Sequence, residues 1–169
     1  TLKQHTTSAR SIEWNADTFA RQILTYSGGG DKNPVAQAAN SIRLFSEQIG
    51  LTCTFGRGSK YATYTASLGK TRVFKISNWL YKDNVFKCTI EFPILDFAQM
   101  FAGEWNEQKI RNLLTAFPNK SYAYAHKLIW DSQQYLYIDI ELLTDENNMQ
   151  VFEQTLKQLC EMIEAVLNF

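Results

Sequence analysis

An α+β fold, with helices laid over one face of an antiparallel sheet, is predicted by three features of this 169-residue sequence. Apolar residues recur every three or four positions up to Gly50 and every second position after it. Strand-like segments then follow one another in runs instead of alternating singly with helices, which excludes a doubly wound parallel sheet. Near the C-terminus, Met149, Phe152, Leu156, Leu159, Ile163 and Val166 form a continuous apolar stripe at helical spacing, which supplies a cover for the sheet.

In chain order, residues 1 to 11 are polar and aperiodic and read as an arm. Asn15 can cap a short helix carrying Phe19, Ile23 and Tyr26, which stops at Gly28-Gly29-Gly30. That triplet has neither the preceding strand nor the following Gly-Lys-Ser/Thr of a phosphate loop, so it reads as a linker. Residues 1–35 are therefore expected to be an N-terminal arm with a short helix and a Gly-rich linker, and 36–169 a single α+β domain. Asn33-Pro34 starts a second helix, because proline at the first helical position sacrifices no useful N–H, and Gly50 ends it. Strands are expected at residues 51 to 55, 60 to 67, 71 to 78 and 84 to 92, separated by Gly-rich or Asp-Asn turns. In the third, Phe74 and Ile76 alternate with Val73, Lys75 and Ser77; in the fourth, Phe86, Cys88, Ile90 and Phe92 alternate with Val85, Lys87, Thr89 and Glu91. One apolar and one mixed face is the mark of an antiparallel sheet packed on one side.

Pro93 ends that run, and Asp96 is placed to cap a long helix over residues 97 to 117, continuous or broken, that Gly103 can bend. Pro118 stops it, after which Tyr122, Tyr124 and His126 alternate up to Trp130, Asp131-Ser132-Gln133 turns, and residues 135 to 143 return. Tyr135, Tyr137, Asp139 and Glu141 are expected on one face of the returning strand. Asp145 or Asn147 then caps the terminal helix, giving the order α-α-β(3-4)-α-β2-α.

Charge narrows the partners. Seventeen Lys+Arg balance 17 Asp+Glu, whereas a domain built to grip nucleic acid shows a cationic excess or a dense basic patch, so nucleic acid is disfavoured. Cys53, Cys88 and Cys160 form an odd set without CxxC spacing, which argues against a disulfide framework or a zinc site and for a reducing, cytoplasmic setting. The chain begins at Thr1, so a removed leader stays open. No apolar run approaches the roughly 20 residues that cross a bilayer, so no integral membrane segment is expected.

The sequence offers no catalytic constellation. HExxH, GxSxG and deaminase-type motifs are all missing, and no motif calls for a cofactor or a metal, so a non-enzymatic role is the expectation. His126 stands apart from any partner motif and reads first as a hydrogen-bonded strand histidine. Asp139 and Glu141 can be read as an acid/base pair or as a solvated strand face. A small-ligand or enzymatic pocket around His126, Asp139 and Glu141 is thus the competing reading. The aromatics point elsewhere. At 14% of the chain they are abundant, and Trp79, Tyr122, Tyr124, Tyr135 and Tyr137 fall on strands away from the apolar face, where large rings suit a protein contact surface.

Two stretches carry a family resemblance over about residues 40–169: Ile42-Arg43-Leu44-Phe45-Ser46-Glu47-Gln48-Ile49-Gly50-Leu51, and Ala116-Phe117-Pro118-Asn119-Lys120-Ser121-Tyr122-Ala123-Tyr124 followed by Leu136-Tyr137-Ile138-Asp139-Ile140-Glu141 and the terminal helix. In this order they resemble the YbjN-like family and the related type III secretion chaperone-like fold. The resemblance implies a non-enzymatic sandwich, often a homodimer, that binds other proteins as chaperone, adaptor or regulator. Secretion chaperones are commonly acidic, and this chain is neutral.

Overall fold

The computed structural model describes residues 12–58, 60–118 and 135–167. Among them run β1 (Ile12–Glu13), α1 (Ala16–Ser27), α2 (Pro34–Gln48), β2 (Thr52–Phe55), β3 (Arg57–Gly58), β4 (Thr63–Leu68), β5 (Thr71–Tyr81), β6 (Val85–Pro93), α3 (Ile94–Met100), α4 (Glu104–Thr115), β7 (Tyr135–Asp139) and α5 (Glu146–Leu167). Strands β2-β4-β5-β6-β7 form an antiparallel sheet in that spatial order, and β1 pairs with β3 in a separate ribbon. The fold is α+β, as the sequence predicts; the strand expected before residue 131 lies outside the described residues.

Local chemistry sets the helix starts. Asn15 accepts from the Thr18 amide at 2.9 Å while the Thr18 hydroxyl accepts from the Asn15 amide at 2.9 Å, a reciprocal cap. Asn33 accepts from the Ala36 amide at 3.0 Å ahead of Pro34, and Asp145 accepts from the Asn147 amide at 2.8 Å ahead of α5. The helical stretch expected over 97 to 117, continuous or broken, is two helices. It starts early, at Ile94, leaving Asp96 in the first turn beside the positive end of the helix dipole, and it breaks before Gly103, whose φ of +119° no helix accommodates.

Registered rows run across the sheet and define its faces. Tyr64, Ile76, Ile90 and Ile138 are in register, as are Ala66 with Phe74 and Phe92 with Leu136. All of these are buried. Among the described residues, rings of the helical layer meet this inner face: Phe19 meets Phe55 and Tyr64, Phe152 meets Phe74 and Phe92, and Phe117 lies 4.6 Å from Phe92. Phe19 and Ile23, expected within an N-terminal arm, belong to the same core cluster as the sheet. Val73 departs from simple alternation: it is fully buried, because a β-bulge opposite Ala66 and Ser67 inserts it as an extra residue between Arg72 and Phe74.

Candidate functional site

The opposite, outer face carries the residues that fall out of phase with the core. One row reads Thr54, Thr65, Lys75, Glu91, Tyr137, and the next Thr63, Ser77, Thr89, Asp139. Threonine and serine here satisfy strand propensity without apolar burial, so the chain forms a sheet that tolerates water on this side. Most of these side chains are half-buried, with Thr89 and Asp139 buried.

At its centre lies a polar cluster on three adjacent strands. Trp79 of β5 is half-buried and its indole Nε1–H donates to Thr89 Oγ1 of β6 at 2.9 Å. Directly opposite Trp79 in register is Lys87, whose Nζ donates to Asp139 Oδ2 of β7 at 3.3 Å. Lys87 is thereby a neighbour of Trp79 to which the Tyr and Trp pattern alone does not point. Its signal is present in the sequence, since Lys87, Thr89 and Glu91 share the mixed face of one strand. The cluster fixes a large indole in one orientation and neutralises a carboxylate. Among the described residues it contains no nucleophile activated by a neighbouring base.

The expected residues are distributed as follows. Trp79, Tyr137 and Asp139 are on the outer face, with Tyr137 half-buried beside Glu91. Tyr135 pairs through its backbone with Pro93; its side chain, and Tyr122, Tyr124 and His126, lie outside the described residues. Glu141 does not share the face of Asp139. The strand expected to run to residue 143 ends at Asp139, and Ile140–Thr144 winds into a 3₁₀ turn that buries Ile140 and Leu143 and leaves Glu141 exposed. A turn replaces the strand because burying those two side chains against the core requires the chain to curl under the sheet rather than continue along it.

No known protein family, curated protein or solved structure matches this chain.

Elsewhere the chemistry is quiet. Among the described residues no group of three His, Cys, Asp or Glu side chains is arranged to hold a metal ion, and no helix is long and apolar enough to cross a membrane. Burial pushes the Cys53 thiol up to about 11 and that of Cys160 to about 12, and Cys88 is raised further by burial and then by the Asp139 charge. Thiols so protonated are packing groups. Tyr64, buried in the core, donates to the Ala39 carbonyl at 3.1 Å, and burial raises its pKa well above the ordinary value. Two grooves of about 450 and 460 Å³ lie in the helical layer, between α2 and α5 and between α4 and α5. Neither is lined by an expected site residue.

Proposed function

We propose that this chain is a non-enzymatic protein-binding module, acting as chaperone, adaptor or regulator in a reducing compartment, with the outer face of the sheet as its contact surface. The observation that carries this reading is the half-buried Trp79, anchored by its bond to Thr89 on the face opposite the one where Phe19 and Phe152 meet the sheet. An indole already fixed in one rotamer loses little entropy when a partner covers it. Tyr137 adds a second amphipathic ring, and Lys75, Lys87, Glu91 and Asp139 mix both signs, which suits a protein surface better than a phosphate backbone. The resemblance to YbjN-like and secretion chaperone-like proteins supports the same class, and the protonated thiols suit the reducing setting. The competing small-ligand reading is weakened by the pairing of Asp139 with Lys87 and by the separation of Glu141 onto its own turn.

Affinity capture from native lysate, with the intact chain as bait, tests the proposal. A discrete protein should be retained by the wild type and by Gln154→Ser on the exposed side of α5, and reduced at least about tenfold by Trp79→Ser. Retention unaffected by Trp79→Ser and Tyr137→Ser would overturn it.

A further inference from the structure

We infer that the seat of α1 on the inner face is an exchangeable helix-docking site, whose second occupant is the α1 of another copy of this chain. The inference is independent of the outer face.

α1 is attached differently from its neighbours. Only Phe19 and Ile23 of its 12 residues are buried, whereas α5 buries six. Much of the remaining hold is polar. Gln22 donates through Nε2 to the Lys60 carbonyl at 2.8 Å, and its Oε1 accepts from the Ala62 amide at 2.7 Å and from Asn78 Nδ2 at 3.0 Å. Water can replace each of these bonds when the helix lifts. The junction is also incompletely satisfied: Asn78 is 1% exposed, yet its Oδ1 has no hydrogen-bond partner. At the far end Tyr26 stacks on Phe86 at 5.1 Å while remaining 47% exposed. At the near end Trp14 donates to the Gly58 carbonyl at 3.1 Å, and the two-residue β1–β3 ribbon adds little, so both travel with α1.

A hinge follows directly. Gly28, Gly29 and Gly30 have φ of +72°, +84° and +57°, and a Cβ placed on Gly28 or Gly30 would meet nothing within 4 Å. These glycines therefore serve backbone conformation and not close packing. The hinge is pinned by Asn33, whose Nδ2 donates to the Gly28 carbonyl at 2.7 Å while its Oδ1 caps α2. Re-aiming the hinge delivers Phe19, Gln22, Ile23 and Tyr26 to the same seat on a second chain, where they meet the partners they already have. An exchange of identical elements needs no new contact, which makes it a low-cost route to a dimer.

The test adds a fluorescent peptide of residues 12–27 to the full-length chain and follows its anisotropy. In the wild type the resident helix competes for the seat, so binding is weak; in a full-length Phe19→Ala chain the seat is vacated more often, and the peptide should bind at least about tenfold tighter. A peptide carrying Phe19→Ala should lose binding to both. Hydrogen exchange on the Phe19→Ala chain supplies the second readout: α5 should keep wild-type protection while α1 loses it. Equal affinity for the two chains, no binding to either, or loss of α5 protection together with α1 would each overturn the inference.

Discussion

Along β5, Phe74 and Ile76 are fully buried while Lys75, Ser77 and Trp79 keep part of their surface in water, and β6 repeats the contrast with Ile90 and Phe92 against Lys87 and Glu91. The same strands thus carry two kinds of surface. Inner-face rings touch one another and the helices in a chain from Phe19 through Tyr64, Phe74 and Phe152 to Phe117, so each depends on its neighbours. Outer-face side chains are held by a few specific bonds, Trp79 to Thr89 and Lys87 to Asp139 among them. The difference teaches where sequence change is tolerated: packing depends most on the inner side of the sheet, and the proposed recognition surface lies on the other.

The largest effect should come from the inner face. Phe152→Ala removes a fully buried ring that contacts Phe74, Phe92 and Phe117, and should cost about 3–5 kcal/mol in chemical denaturation. On the outer face Lys87→Ala removes the ammonium that pairs with the nearly buried Asp139 carboxylate; because Lys87 is itself a quarter exposed, the loss should be smaller, about 1–2 kcal/mol. Tyr64→Phe, which deletes only the hydroxyl that reaches the Ala39 carbonyl, should cost about 1 kcal/mol. Thr65→Ala, on the outer face and away from the cluster, should stay within about 0.5 kcal/mol. If Thr65→Ala proved as costly as Phe152→Ala, the distinction between the faces would fail.

The thiols give a pH-dependent check. The folded-state pKa of Cys53 lies near 11, above its unfolded value, so the folded state holds that proton longer; its contribution to stability is complete below about pH 9 and is lost as pH rises toward 11. At pH 8 its thiolate fraction is about a hundredfold below that of an ordinary thiol, so thiol-reactive dye should label the native chain slowly and all three cysteines promptly in denaturant.

Much of the fold was legible because its signals are local. Asn15, Asn33 and Asp145 are short polar side chains just ahead of helices, and each makes the capping bond its chemistry suggests. The alternation in β6, and in β5 from Phe74 onward, likewise transferred to the two faces, while Val73 at the bulge did not. The turn after Asp139 was less legible, since the apolar residues on either side fit a continued strand equally well by periodicity. What decides it is burial against other elements: Ile140 and Leu143 enter the core as a turn. The attachment of α1 was hidden for the same reason, because nothing in the local sequence shows that Gln22 meets Asn78 and Ala62, 56 and 40 residues away. In the candidate site, Trp79 and Tyr137 could be placed by parity alone, while the Lys87 to Asp139 pair required the order of the strands.

The central claim, that the outer face is where a protein partner sits, is tested most directly by site-specific photo-crosslinking in native lysate. A photoreactive phenylalanine placed at Thr65 or Lys75 on the outer face, and in separate chains at Gln154 or Gln158 on exposed positions of α5, reports which surface is covered. The account predicts one discrete adduct from Thr65 and Lys75 that disappears with Trp79→Ser, and none from α5. Adducts confined to Gln154 and Gln158, or formed equally from both surfaces, would contradict it.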